Sequence, residues 1–263
     1  MKSSQATDRA RMPEGANKVL DRRTLETDNR NLLKYLKPGI QVLDVGCGSG
    51  AITKGMAEKG ALVTGIDPGE TLIAQAQGNY EGIAGLQFQV ADIFTFETAE
   101  RYDLISSARV LQWLQDPATA LLKMKALLKS GGLISILDYN HEKIQWHPAP
   151  PAEMKEFYNA FLKWRTDVGF DNAIADHLSG LFESLGFTHI EVEVQHELTT
   201  KNDPEFAAKA GIWSTVAKTR GLQLVKDGYI TESQRLSAIG AYEKWIAESG
   251  ESMTLYLLSV SAK

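Results

Sequence analysis

The chain has 263 residues, 43% of them hydrophobic, and a formal charge of −5. That length permits one large domain or two small ones with a sizeable core, and the acidic balance supplies no basic field for a phosphate backbone, which argues against nucleic-acid partners. One cysteine, Cys47, excludes an intramolecular disulfide, and no apolar run reaches the length of a membrane span.

The N-terminal "MKSSQATDRARMPEGANK" lacks the apolar core of a secretory signal. The expectation is a cytoplasmic protein, monomer or homodimer, whose residues 1–15 are mobile. "TLETDNRNLLKYLKPG" follows as an amphipathic helix, with Leu25, Leu32, Leu33 and Leu36 near helical spacing and Pro38-Gly39 as its stop. "IQVLDVG" reads as a buried strand ending at glycine, "AITKGMAEKG" as a helix, "ALVTGID" as a second strand, "GETLIAQAQGN" as a second helix and "LQFQVADI" as a third strand. "YDLISSA" is a fourth strand. "DPATALLKMKALLKSGG" carries the clearest helix signals, with Asp116 as cap, Pro117 in the first turn and Gly131 at the exit. "GLISILDYN" is a fifth strand. This alternation predicts an α/β doubly wound, Rossmann-like sheet of seven strands, mostly parallel, with helices on both faces.

Beyond residue 140 the rhythm changes. An aromatic-rich helix, a second helix ("DNAIADHLSGLFESLGF"), a strand ("THIEVEVQHEL"), two to three helices and a last strand ("ESMTLYLLSVSAK") follow. The two late strands suggest an antiparallel C-terminal hairpin that completes the sheet. Residues 16–263 are thus expected to form a single domain with helical cap insertions at about 141–170 and 201–250.

The stretch "VLDVGCGSGAIT", Val42 to Thr53, holds three alternating glycines where a strand must turn into a helix. Such a loop admits close backbone approach by a ligand, and the helix start offers free N–H groups. A nucleotide-like ligand is expected. Gly46, Gly48 and Ala51 also satisfy the dinucleotide pattern G-x-G-x-x-A, with Asp67 closing the second strand. An NAD-dependent oxidoreductase and a tight turn without a ligand therefore both stand beside the next reading.

From Val42 to Asp138, five segments in order resemble the class I S-adenosylmethionine-dependent methyltransferases: "VLDVGCGSG", "VTGIDPGETLIAQA", "FQVADIFTF", "YDLISSARVLQWLQDP" and "LKSGGLISILDYN". The resemblance implies S-adenosyl-L-methionine as cofactor. The backbone from Gly46 through Cys47 and Gly48 to Gly50, behind Asp44, would pack against its methionine part and ribose. Asp67, followed by Pro68, would accept hydrogen bonds from both ribose hydroxyls, as an acceptor-only carboxylate can. A helix cap before Pro68 and Gly69 is the competing reading of Asp67, and its register after the second strand favours the ribose. Asp92 would take the adenine amine with Ile93 stacking on the ring, and Ser107 and Arg109 would lie beside the methionine tail. Arg22, Arg23 and Arg30 are available to the cofactor carboxylate or to solvent.

Methyl transfer from a sulfonium is an in-line displacement in which proximity and orientation do much of the work. The segment "SSARVL" lacks the pattern of amino-methylating nucleic-acid enzymes, and no spaced acidic cluster suggests a metal. Four of the five tryptophans (Trp146, Trp164, Trp213 and Trp245) lie beyond residue 140 with many other aromatics, so the expected partner is a small-molecule acceptor of apolar or aromatic character. Asp138, Tyr139 and His141 follow the fifth strand at the edge where such sheets bind ligands, and His147 is close behind. His141 is the candidate catalytic base. A methyltransferase-fold protein that binds without turnover is a further alternative.

Overall fold

The computed structural model describes residues 2–13 and 20–263. Elements run α1 (Lys2–Ala10), α2 (Leu25–Asp28), β1 (Gln41–Val45), α3 (Ala51–Glu58), β2 (Leu62–Asp67), α4 (Glu70–Asn79), β3 (Leu86–Val90), β4 (Tyr102–Ala108), α5 (Pro117–Ala126) and β5 (Leu128–Tyr139). Then come β6 (Gln145–His147), α6 (Ala152–Thr166), α7 (Ile174–Ser184), β7 (Glu191–Val194), β8 (Glu197–Thr200), α8 (Phe206–Ala210), α9 (Ile212–Lys218), α10 (Arg220–Lys226), α11 (Glu232–Glu248), β9 (Ser252–Leu255) and β10 (Leu257–Ala262). The chain divides into a larger unit, residues 20–139, 173–195 and 257–263, and a smaller one, residues 2–13, 140–172 and 196–256.

The larger unit is a seven-stranded sheet in the order β3-β2-β1-β4-β5-β10-β7. The first five strands in that order pair in parallel. β10 runs antiparallel to both neighbours, with Val260 opposite Ile136 on one side and Val192 on the other. Both faces of the central strands are covered, so they read as nearly continuous apolar runs. Successive residues alternate between two cores. Leu43, Val45, Ile105, Ile134 and Ile136 pack with Leu121 and Met124 of α5 and with Leu178 and Phe182 of α7. Val42, Val63 and Leu104 pack with Met56 and Ala57 of α3 and with Leu25 and Leu32. As expected, α5 starts at Asp116, whose carboxylate accepts the Thr119 N–H at 2.9 Å, with Pro117 in the first turn.

In the smaller unit α6 packs on α11, and β6, β9 and β8 form an antiparallel three-stranded sheet. The N-terminal segment belongs here. Residues 2–10, part of the segment expected to be mobile, form α1, while Met1, Glu14 and Gly15 of that segment lie outside the described residues. Arg9 fixes α1: its guanidinium stacks 4.8 Å from the Trp164 ring and 5.2 Å from the Tyr229 ring. It also pairs with Asp227 at 3.1 Å and donates to the Trp164 carbonyl.

Four local expectations change. The helix over 24–39 is interrupted at Asn29. Asp28 Oδ2 accepts the Thr24 N–H at 2.9 Å, Asn29 leaves the helical region, and a 3-10 turn (Arg30–Tyr35) follows. Such local side-chain bonds compete with helix continuation. The fourth helix ends at Ala126, so Gly131 (φ 77°) lies within β5 instead of capping α5. "THIEVEVQHEL" divides into β7 and β8 and "ESMTLYLLSVSAK" into β9 and β10, each pair serving both sheets. The residues between β8 and β9 hold four helices, α8 to α11.

The longest helix begins with a reciprocal cap. The Thr231 hydroxyl accepts the Gln234 N–H at 3.2 Å and Gln234 Oε1 accepts the Thr231 N–H at 2.8 Å. Thr231→Ala is expected to cost about 1 kcal/mol, read as a lower denaturant midpoint with an unchanged slope.

Candidate functional site

The loop from β1 into α3 owes its path to glycine. Gly46 and Gly50 sit at φ 76° and 82°, the left-handed region that disfavours a side chain. Room is a second constraint. A Cβ on Gly46 would stand 2.2 Å from Val110 Cγ2, and one on Gly50 would stand 2.5 Å from Phe88 Cζ. The Ile66 carbonyl accepts the N–H groups of Gly46 (2.7 Å) and Cys47 (3.0 Å), which carries the loop across the end of β2.

There it meets Asp67. Oδ2 accepts the Gly48 N–H at 3.1 Å and Oδ1 the Gly69 N–H at 2.8 Å. Burial raises the pKa of this half-buried carboxylate, and the two N–H donors oppose that shift. Gly69 is the residue that opens α4, so Asp67 supports a helix start and keeps lone pairs for a ligand at the same time. Pro68 beside it is exposed. Asp44 is buried beneath the loop, where Oδ2 accepts the Thr53 hydroxyl of α3 at 2.7 Å. Burial pushes its pKa up to about 6 against the opposing hydrogen bonds of Thr53 and Ser106. The Cys47 thiol is pushed up by burial and by the Asp44 and Asp67 charges, which makes it a poor nucleophile.

Asp92 is exposed, and Oδ1 accepts the Phe94 N–H at 2.9 Å. Ile93, expected to stack on the adenine ring, is buried in the core of the sheet. Ser107 Oγ donates to the Val45 carbonyl at 2.9 Å. Arg109 follows β4 at φ 63°, a conformation that costs a non-glycine residue on the order of 1–3 kcal/mol. Its Nε donates to the Tyr139 hydroxyl at 2.9 Å and its Nη2 to the Asp28 carbonyl at 2.9 Å. Asp138 accepts the N–H groups of Gln112 (3.1 Å) and Tyr139 (2.8 Å).

These residues of the larger unit gather around the carboxyl ends of β1, β2, β4 and β5. His141 and His147 belong to the smaller unit. His141 is buried against the rings of Phe161 and Trp213, at 6.1 and 6.0 Å between centroids. Its pKa lies well below the usual histidine value, first through burial and then through the Arg165 charge. Such an imidazole is neutral and a weak proton acceptor. His147 is exposed and lies 3.2 Å from Glu251.

Sequence reasoning missed two polar side chains near these residues. Ser49 is buried, and its hydroxyl finds no partner among the described residues; its place inside the glycine loop was the available signal. Gln195 donates to the Asp28 carbonyl at 3.0 Å and accepts the Asn31 N–H at 3.1 Å, and a lone Gln after a strand carries no such signal. The backbone of the glycine-rich loop, the unpartnered Ser49 hydroxyl and the acceptor-only Asp67 together fit a ligand carrying a ribose. Among the described residues no helix is long and apolar enough to cross a membrane, and no group of three His, Cys, Asp or Glu side chains is placed to hold a metal.

Asp44 gives a signed pH dependence. Its folded pKa of about 6 exceeds the unfolded value of about 3.9, so the folded chain binds the extra proton between them and stability is lost as pH rises through that window. Relative to Asp44→Asn, the native chain is expected to lose on the order of 2 kcal/mol between pH 4 and 6. Denaturant titrations of both proteins at several pH values across it check this.

The methyltransferase domain family matches residues 36–211. The ubiquinone biosynthesis O-methyltransferase of Coxiella burnetii (strain Dugway 5J108-111) is 36% identical over 107 residues, covering 38% of this chain and 46% of that protein. The protein of the same description from Leptothrix cholodnii is 28% identical over 152 residues, covering 51% and 65%. The chain thus matches about half the length of these curated relatives. Among solved structures, a SAM-dependent methyltransferase from Geobacter sulfurreducens in complex with S-adenosyl-L-homocysteine aligns with a TM-score of 0.53 at 18% identity over 90% of each chain. One from Thiobacillus denitrificans, also with S-adenosyl-L-homocysteine, gives 0.55 at 19% identity over 96% of this chain and 99% of its own. At such identities these two speak for the fold, and the family match over two thirds of the sequence carries the assignment: the chain belongs to the class I S-adenosylmethionine-dependent methyltransferases.

Proposed function

We propose that the protein transfers the methyl group of S-adenosyl-L-methionine to an oxygen of a small-molecule acceptor. The observation that carries this reading is the glycine loop clamped by Asp67, which leaves backbone, the Ser49 hydroxyl and a carboxylate facing one ligand. The choice of oxygen draws on the description of the curated relatives as O-methyltransferases.

In this reading Gly46, Cys47, Gly48 and Gly50 admit the cofactor by their backbone, and Asp67 accepts its ribose hydroxyls. Asp92 takes the adenine amine, with Ile93 beside the ring. Arg109 and Ser107 stand on the methionine side, and Asp44 holds α3 to the loop. The cofactor supplies an already activated methyl group, so what the chain contributes is alignment of the acceptor and exclusion of water. We do not assign His141 the removal of the acceptor's proton, because a buried imidazole beside Arg165 is too weakly basic for that role.

Calorimetry with S-adenosyl-L-methionine, S-adenosyl-L-homocysteine and NAD separates the readings. Binding of the first two at about −8 kcal/mol, a micromolar dissociation constant, is expected. Tighter binding of NAD sinks the proposal. Asp67→Asn, which keeps the shape and one acceptor oxygen, is expected to weaken binding by roughly ten- to hundredfold. An unchanged affinity with a lowered melting temperature would leave Asp67 as a helix-start residue alone.

A further inference from the structure

The side chains expected beside the methionine tail are already engaged within the larger unit. Ser107 Oγ donates to the Val45 carbonyl, and Arg109 donates to the Tyr139 hydroxyl and the Asp28 carbonyl. Two carboxamides near Arg109 are not engaged. Asn29 is 2% exposed, and its Oδ1 accepts no hydrogen bond among the described residues. The Nδ2 of Asn31 is buried and donates none. Their backbones do not share the deficit: the Asn29 N–H donates to the Leu25 carbonyl at 3.2 Å and the Asn31 N–H to Gln195 Oε1 at 3.1 Å. Buried side-chain amides normally find partners. An acceptor and a donor left open this close in the chain fit a ligand that brings one of each.

The segment that carries them is laid along the glycine loop and the helices around it, all within the larger unit. A Cβ on Gly48 would stand 3.0 Å from Leu20 Cδ1, and one on Gly55 of α3 would stand 2.8 Å from Leu25 Cβ. Asp21 accepts Nε2 of Gln75 in α4 at 3.1 Å. The Asp28 carbonyl then accepts from both Arg109 and Gln195. Val110, next to Arg109, is the residue that closes on Gly46. Asn29 thus follows by one residue the contact that ties this segment to Arg109 and, through Val110, to the loop. Both asparagines precede residue 36, where the family match begins.

We propose that Asn29 and Asn31 receive the amino-acid end of S-adenosyl-L-methionine: Asn29 Oδ1 accepts from its ammonium group and Asn31 Nδ2 donates to its carboxylate. A zwitterion carries N–H donors and acceptor oxygens on neighbouring groups, and a pair of neutral amides meets both without adding a net charge. Hydrogen bonds in which one partner is ionised are the stronger class. The part of Arg109 is then to hold this segment in place through the Asp28 carbonyl. The inference rests on the methyltransferase reading for the identity of the ligand, and concerns the end of it that Asp67 does not touch.

The test titrates the full chain with S-adenosyl-L-homocysteine and with 5′-methylthioadenosine, which keeps the adenine, ribose and sulfur but lacks the amino-acid end. The native chain is expected to bind the first at least roughly tenfold more tightly. Asn29→Leu and Asn31→Leu keep the approximate shape and remove the amide. Each should weaken S-adenosyl-L-homocysteine by roughly tenfold and leave 5′-methylthioadenosine unchanged. Asn29→Leu should not lower the melting temperature of the ligand-free chain, because it removes a buried polar group that has no partner there. Asp67→Asn should weaken both nucleosides alike, since both carry the ribose. With the native chain labelled at its side-chain amides, the Asn29 and Asn31 resonances should move with S-adenosyl-L-homocysteine and not with 5′-methylthioadenosine, which decides the matter if the variants do not fold. Equal binding of the two probes by the native chain, a preference that survives either leucine substitution, a substitution that weakens both probes alike, or silent amide resonances each overturn the proposal. If Asp67→Asn weakens both probes and the leucine substitutions change nothing, this inference fails alone; if the leucine substitutions remove the preference and Asp67→Asn changes nothing, the earlier reading of Asp67 fails alone.

Discussion

Two turns of the larger unit, the glycine loop after β1 and the turn that opens α4, are tied together by one carboxylate. Asp67 accepts one N–H from each, and neither turn has a side chain at the bonded position to hold it otherwise. A carboxylate suits the task because its two oxygens accept in different directions, and each N–H it receives offsets part of the cost of burying the charge. The rest of the site leans on that tie. Ile66, just before Asp67, receives the loop's first two N–H groups, and Val110 and Phe88 close on the glycines from either side. These contacts leave no space for a Cβ, so the loop's shape is set by packing as much as by its dihedrals.

The polar groups under the loop divide into those already engaged within the chain and those with capacity left. Ser107, Asp138 and Asp44 each bond to a neighbouring strand or helix. Arg109, at a conformation rare for its residue type, draws Tyr139 of β5 and the carbonyl of Asp28 to the end of β4. Strain at such a point persists where the surroundings over-determine it. Asp67, with unused lone pairs, and Ser49, with a hydroxyl to place, are the groups with something still to give a ligand. A site need not be made of its most polar residues: several of the charged groups here serve the scaffold.

The alternation of five strands with helices, the Asp116 cap and the glycine loop were all legible, because each depends on neighbours close in sequence. What was not legible depends on partners far away. "THIEVEVQHEL" and "ESMTLYLLSVSAK" keep a strand-like alternation through the point where the chain passes from one sheet to the other, and a period of two says nothing about which sheet a residue joins. The helix break at Asn29 comes from a carboxylate bonding to its own preceding turn, a competition that apolar spacing does not register. His141 stood in the right place for a base by chain position, but its neighbours Phe161 and Trp213 come from α6 and α9, and it is their packing that keeps the imidazole dry.

β10 lies between β5 and β7, yet in the chain it comes after β7, β8, four helices and β9. Among the described residues β7 pairs in the sheet with β10 and no other strand. During synthesis and refolding, β7 therefore waits as an open edge until everything between has been made and β10 arrives. Val192 and Val194 stay exposed even in the finished fold, so that waiting edge is a template for pairing with the wrong chain. The two glutamates that alternate with them, both held by Lys34 at 3.2 and 2.7 Å, put charge on every second position of the strand. Their role is then one of timing: they keep an unfinished sheet from being completed by a stranger.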